Sequence, residues 1–331
     1  MIFDCFLFFQ EIDILLIRLD YLYDLVDKFI IVEAGESFTG QKKEFIFEKN
    51  IELFGKYIDK IHYHKINDRH KNYDSIIEFL TNKNAIAHSK IKLFMDNHNY
   101  YDKEKIYYIL DSYHRECIHI PLSTICNDDD LIILSDLDEI PNRKIIKNIR
   151  DIKKPLVCKQ NEFKYFLNLY SNNNWLGSTI IKYTDLKSTS LNVIRRESSK
   201  FNIVFPGGYH FTSIGKEKDI INKIENWGHQ EFNQKIIKKN LMKNIKTGRD
   251  IFYRFGQGKN KIVSFDNRKI YDQEIVQIIN NFQNLKLNTN KMETTFDWIE
   301  YKLIQLIIYF KRFLKQPIYG LKKMLKIIRN K

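Results

Sequence analysis

The residues with the clearest chemical potential lie in the segment LIILSDLDEIP, residues 131–141, where a four-residue apolar run ends abruptly in a D-x-D-E sequence and a proline. On extended backbone, side chains two positions apart point the same way, so Asp136 and Asp138 are placed to share one cation. A hard divalent ion with oxygen ligands, Mn²⁺ or Mg²⁺, would bind there together with a diphosphate. The competing reading is a solvated acidic turn. Asp128, Asp129 and Asp130 precede the same run and fall at its far end, where a solvated loop is expected.

Four further groups carry possible chemistry. Glu33 ends an apolar run and could accept hydrogen bonds from a base or sugar, or simply from nearby backbone N–H groups. Arg115, in His114-Arg115-Glu116, has the planar fork that matches phosphate oxygens, and equally suits a helix-pairing role. His210 follows Gly207-Gly208-Tyr209, where paired glycines allow close backbone approach to a ligand, and it could complete a metal site or bind phosphate. His229-Gln230-Glu231 offers a carboxylate for general-base work, or a helix-capping cluster. Glu139 is a second candidate base beside Glu231.

These residues need a scaffold, and the apolar pattern predicts one. Residues 2–9 form a short apolar, aromatic run that reads as a buried strand. Residues 11–25 show helical spacing at Ile12, Leu15, Leu16, Leu19, Leu22 and Tyr23, and residues 28–33 read as a second buried strand. Such a strand–helix–strand opening predicts an α/β protein with a parallel sheet. Strands are also expected over 60–65, 131–134, 155–170, 178–183 and 201–205, and helices over 104–120, 142–150, 218–226 and 232–245. Residues 67–100 and 246–290 are polar and poorly patterned, and the first of these reads as an insertion or mobile connection. Ligands of open parallel sheets bind at the carboxyl ends of the strands, where Glu33 and the D-x-D residues fall.

Composition narrows the class. The 331 residues include 24 Phe and 19 Tyr against 12 Gly and 5 Pro, which favours long elements and a substantial core over disorder. The net charge is +13, but residues 296–331 hold +7 of it, leaving +6 over the other 295 residues. A mildly basic body does not call for nucleic acid as a partner. Cys5, Cys117, Cys126 and Cys158 contain no CxxC pair, so reduced thiols in a cytoplasmic setting are expected. The apolar start lacks a basic leader and is interrupted by Asp4, Glu11 and Asp13, unlike a signal peptide.

Taken in order, FDCFLFFQEIDILLIRL, DLVDKFIIVEAGESFTG, HREC, LIILSDLDEIP, GGYHFTSIG and NKIENWGHQEF make residues 2–255 similar to glycosyltransferase family 17. The resemblance implies a GT-A-like, Rossmann-type nucleotide-sugar-binding fold with a mixed sheet. It implies inverting transfer from a UDP-sugar, UDP-GlcNAc foremost, to a glycan or glycolipid, with Mn²⁺ or Mg²⁺ held by Asp136, Asp138 and His210. Glu33, Arg115, Asp136, His210 and His229 fall on motif positions expected to bind the nucleotide sugar, and Glu231 and Glu139 on those expected for catalysis. His114 stands where the family often has Gln, and Gly207-Gly208-Tyr209-His210 where it often has Ala-Gly-Trp-His. The expected organisation is a catalytic domain over 1–255, a connection over 256–295 and a helical tail over 296–331.

The tail repeats apolar residues at Leu303, Leu306, Ile307 and Phe310 and again at Leu321, Met324, Leu325 and Ile328, with Pro317 and Gly320 between. Residues 311–331 carry eight basic residues and no acidic one. Amphipathic helices of this kind suit an anionic membrane surface, which predicts a peripheral protein on the cytosolic face, serving surface polysaccharide or lipopolysaccharide synthesis. A helix packed on the catalytic domain with a solvated basic face is the alternative. Two rival functions remain at this level: a metal-dependent phosphotransferase or hydrolase using Asp136 as nucleophile, and a non-enzymatic membrane-binding protein.

Overall fold

A computed structural model of the protein describes residues 1–149, 152–288 and 291–315. These residues form ten strands and 14 α-helices in an α/β arrangement around one mixed sheet. The first two apolar runs are β1 (Ile2–Phe8) and β2 (Lys28–Ala34), followed by β3 (Ile61–Ile66) and, before the acidic turn, β4 (Leu131–Leu134). They pair in parallel in the order β3-β2-β1-β4. The rest of the sheet comprises β5 (Glu139–Pro141), β6 (Leu156–Lys164), β7 (Leu169–Lys182), β8 (Asn202–Val204), β9 (Gly208–Thr212) and β10 (Lys261–Ile262). β7 runs antiparallel to β4, the path continues β7-β6-β9-β5, and β8 and β10 add to β6 and β7.

The parallel strands read as unbroken apolar runs because both faces are covered. Phe3, Cys5, Ile30, Val32, Ile132 and Leu134 enter one core, and Phe6, Phe8, Phe29, Ile31, Leu131 and Ile133 enter the other. Polar-looking regions contribute more than their pattern suggests. Residues 67–100 are not a mobile connection: they hold the helices Tyr73–Thr81 and Ile86–Asp96, which bury Ile76, Leu80, Ile91 and Met95. The first of these starts at Asn72, whose side chain accepts from Ser75 N at 3.0 Å, a cap that offsets its short apolar stripe. Residues 256–295 are likewise more than a connection, since Phe265, Tyr271, Ile275 and Leu285 join the core beneath the Ile12–Leu22 helix. Asp130 is buried rather than solvated, accepting from the N-terminal ammonium at 2.6 Å and from Asn127 N at 2.7 Å.

A third apolar cluster joins residues 217–254 to the Thr295–Lys315 helix through Ile220, Phe232, Leu241, Phe252, Tyr301 and Ile308. The single helix expected over 232–245 is two short ones, Lys235–Lys239 and Leu241–Lys246. All four cysteines are free. Among the described residues no helix is long and apolar enough to cross a membrane. The second tail helix expected beyond Pro317 lies outside the described residues.

Candidate active site

The acidic turn begins where β4 ends and is shaped by a buried arginine. Arg18, on the Ile12–Leu22 helix, is fully buried and holds Asp4 of β1 through Nε to Oδ2 at 2.8 Å and Nη2 to Oδ1 at 2.5 Å. Its Nη1 donates to the carbonyls of Asp136, Leu137 and Glu139 at 3.0, 2.9 and 3.0 Å, and Nη2 to Ser135 Oγ at 2.6 Å. Carbonyls withdrawn from water need donors, and one planar guanidinium supplies three of them here. Glu139 closes the turn from within: its backbone N–H donates to Asp136 O at 3.1 Å while its Oε2 accepts from Asp136 N at 3.0 Å. The segment is therefore a turn rather than extended backbone, and the two aspartates face different partners.

Asp136 sits between two guanidiniums, with Arg115 Nη1 at 2.7 Å from Oδ1 and Arg195 Nη2 at 2.5 Å from Oδ2. Burial opposes its ionisation, but Arg195 and Arg115 outweigh it and hold the carboxyl well below the usual range. Both oxygens are engaged by guanidiniums, so Asp136 would have to release one of them to share a cation with Asp138. Asp138 is less occupied: Lys223 Nζ lies 3.3 Å from Oδ2, and His210 Nε2 lies 3.8 Å from Oδ1. Lys223 also pairs with Glu11 at 3.2 Å, and although burial works against its charge, Asp138 and Glu11 keep it firmly protonated.

His210 comes from β9, which lies between β6 and β5 and puts the histidine in register with Glu162 and Glu139. Its ring stacks on Trp175 with centroids 5.0 Å apart, and Glu162 Oε1 stands 4.0 Å from a buried Nδ1 that has no hydrogen-bond partner. Gly207 and Gly208 serve this strand pairing rather than a ligand. A Cβ on Gly208, whose φ is +115°, would lie 2.2 Å from Ile140 O, and one on Gly207 would lie 2.4 Å from Lys159 N. Among the described residues no three His, Cys, Asp or Glu side chains converge as a metal cluster. A diphosphate-bound ion needs only one or two protein ligands; the Asp138 carboxylate suits Mn²⁺ or Mg²⁺, and the His210 imidazole is a ligand that Mn²⁺ accepts more readily than Mg²⁺.

A cleft of about 1060 Å³ opens over the ends of β1, β2 and β4, the edge at which open α/β sheets bind ligands. Asp136, Asp138, Arg115, His210 and His229 line it, together with Arg195, Glu162 and Trp175, which the sequence did not single out. Trp227, His229 and Phe252 form an aromatic stretch of the wall, with Trp227 4.6 Å from His229 and 5.7 Å from Phe252 between ring centroids. Arg195 lies in an unremarkable Arg-Arg pair ending the Leu191–Arg196 helix, and Glu162 and Trp175 belong to alternating strands, so no local motif marks them.

Three expected site residues lie elsewhere. Glu33 is fully buried and off the cleft. Its carboxylate accepts from Lys43 Nζ at 2.5 Å, Ile46 N at 2.6 Å, Phe47 N at 3.1 Å and Tyr63 Oη at 2.9 Å, which leaves it to anchor the chain after β2. Glu139 is also fully buried: its Oε1 accepts from Trp175 Nε1 at 2.6 Å and Arg195 Nη2 at 3.1 Å, so it positions those groups and is not free to act as a base. Glu231 is off the cleft wall on a short turn, with Oε1 3.0 Å from Nδ1 of His229, which does line the cleft.

No curated protein matches the chain. Residues 1–77, the stretch from β1 through β3, match the family model of glycosyltransferase family 17, a match that ends before the D-x-D turn and indicates that the protein is a glycosyltransferase.

Proposed function

We propose that the protein transfers a sugar from a nucleoside-diphosphate donor to a hydroxyl of a glycan or glycolipid, with inversion at the transferred carbon. The observation that carries this reading is the charge arrangement at the end of β4, where Arg115, Arg195 and Lys223 close around two carboxylates on the wall of a ligand-sized cleft. UDP-GlcNAc is the donor implied by the resemblance of the sequence. As the sugar–phosphate bond breaks, negative charge gathers on the leaving diphosphate, and fixed cations aimed at it stabilise the transition state more than the ground state. Arg195, Lys164 and Arg254 on the cleft wall supply such charge. Asp136 keeps Arg115 and Arg195 in place. Asp138 and His210 would hold Mn²⁺ or Mg²⁺, which when bound acts as a Lewis acid on the diphosphate.

The attacking hydroxyl must lose a proton. A hydrogen bond from His229 Nδ1 to Glu231 fixes the tautomer in which Nε2 is basic, so His229 takes the proton and Glu231 orients it. The flat faces of Trp227 and Phe252 beside it suit a sugar ring of the acceptor. The test is UDP release from a panel of nucleotide sugars by purified protein, with Mn²⁺ and with EDTA. Metal-dependent release from one donor is expected. Calorimetry showing binding of neither metal nor any nucleotide sugar would overturn the proposal.

A further inference from the structure

The Thr295–Lys315 helix is two-faced in a way the sheet domain does not explain. Tyr301, Gln305 and Ile308 are buried against the body: Tyr301 Oη donates to Asp250 O at 3.1 Å, and Gln305 Nε2 donates to the carbonyls of Tyr253 and Arg254 at 3.2 and 3.1 Å. On the opposite side Phe296, Ile299, Leu303, Leu306, Ile307 and Phe310 are all exposed, from 44% for Ile299 to 75% for Phe296. Their spacing of 3, 4, 3, 1 and 3 residues keeps them within one stripe, about 100° wide and free of charged residues. Water in contact with six large apolar side chains in one row marks an interaction surface, not ordinary surface scatter.

We propose that this stripe lies in the headgroup region of an anionic lipid bilayer. Charge complementarity selects this occupant. The two acidic residues of the helix, Asp297 buried and Glu300 partly exposed, are both paired with Lys243, at 2.8 Å from Asp297 and 2.5 Å from Glu300. The chain from residue 311 onward then carries eight basic residues and no acidic one. An apolar stripe followed in the sequence by a run of cations with no acidic residue among them attracts anionic lipid, and the helix is not long and apolar enough to cross the membrane. The body side of the same helix holds Asp250, Tyr253 and Arg254, and Arg254 and Phe252 line the cleft. Docking therefore brings one wall of the cleft close to the lipid surface. If the transferase reading holds, that position favours an acceptor sugar carried on a lipid.

The experiment is co-sedimentation of the full chain with phosphatidylcholine vesicles, with and without phosphatidylglycerol, beside the double variant Leu303→Asp/Ile307→Asp. Both positions are exposed, so an unchanged thermal melt and unchanged donor hydrolysis in solution are expected. The wild type should pellet with anionic vesicles and not with neutral ones. Binding should fall about tenfold in the double variant and weaken in high salt. Absence of wild-type binding to anionic vesicles would overturn the proposal, as would equal binding by the variant. So would a wild-type dimer that the double variant abolishes without vesicle binding, because the stripe would then join two copies of the chain. None of these outcomes depends on the transferase reading, which is tested separately by donor hydrolysis.

Discussion

The fully buried charges of the first two strands and their helix and the partly exposed charges of the cleft do different work. Asp4, Arg18 and Glu33 are completely buried and saturated with partners, and none of them lines the cleft. Asp136, Arg195 and Lys223 are between 24% and 33% exposed at the side chain and do line it. A saturated buried charge has nothing left to offer a ligand, and removing its partner strands it in the core. A partly exposed charge in a polar cluster can exchange its protein partner for a ligand at small cost. The fully buried N-terminal charges therefore shape the acidic turn, while the charges lining the cleft, most of them from the later part but also Glu11, Glu36 and Lys43, are the ones placed near a ligand.

That division can be broken experimentally. Arg18→Met should have the largest effect, because it leaves Asp4 buried without a partner and takes from three turn carbonyls the donor they share, with Glu139 N–H still reaching Asp136 O and Ser178 Oγ still reaching Glu139 O. A loss of about 3–5 kcal/mol in urea unfolding is expected, together with loss of donor hydrolysis. If Arg18→Met instead left stability intact and abolished only hydrolysis, the assignment of scaffold roles to the buried charges would fail. Asp138→Asn should show the reverse pattern. Its unfolding free energy should fall by only ~1 kcal/mol, because Glu11 still pairs with Lys223, while kcat for metal-dependent donor hydrolysis should fall about 100-fold.

Smaller effects sharpen the contrast. Glu33→Gln keeps the shape but loses the charge that Lys43 and two backbone N–H groups address, so ~1–3 kcal/mol of stability should disappear with donor affinity unchanged. A change in donor KM without loss of stability would return Glu33 to the site. Acid sensitivity gives the finest measure. The carboxyl of Asp136 is held below its ordinary range in the folded state, so it contributes stability that is present above the unfolded value and lost as pH falls through the folded one. Arg195→Met removes one of the two cations responsible, so the stability lost on acidification should be smaller and its loss complete at a higher pH. An acid limb identical to wild type in urea melts between pH 2 and about 5 would mean that Arg195 does not hold Asp136 ionised.

The sequence by itself determined the parallel half of the sheet, its two-sided burial and the place of the acidic turn at its ligand edge. Apolar runs with helical or strand period are local properties, set by which faces must leave water. It also determined which residue types were available for metal and phosphate, and Arg115, Asp136, Asp138, His210 and His229 do meet at one cleft. Tertiary structure alone decided how they are partnered. Arg18 reaches a turn 118 positions away in the chain, Arg195 reaches Asp136 from a helix with no motif, and Glu33 and Glu139 are consumed by donors from distant segments. Hydrogen bonds and ion pairs form between whatever groups packing brings together, and packing depends on contacts far apart in the chain. The type of a residue is thus written locally, and whether its charge shapes the protein or meets a ligand is settled only when the chain is closed.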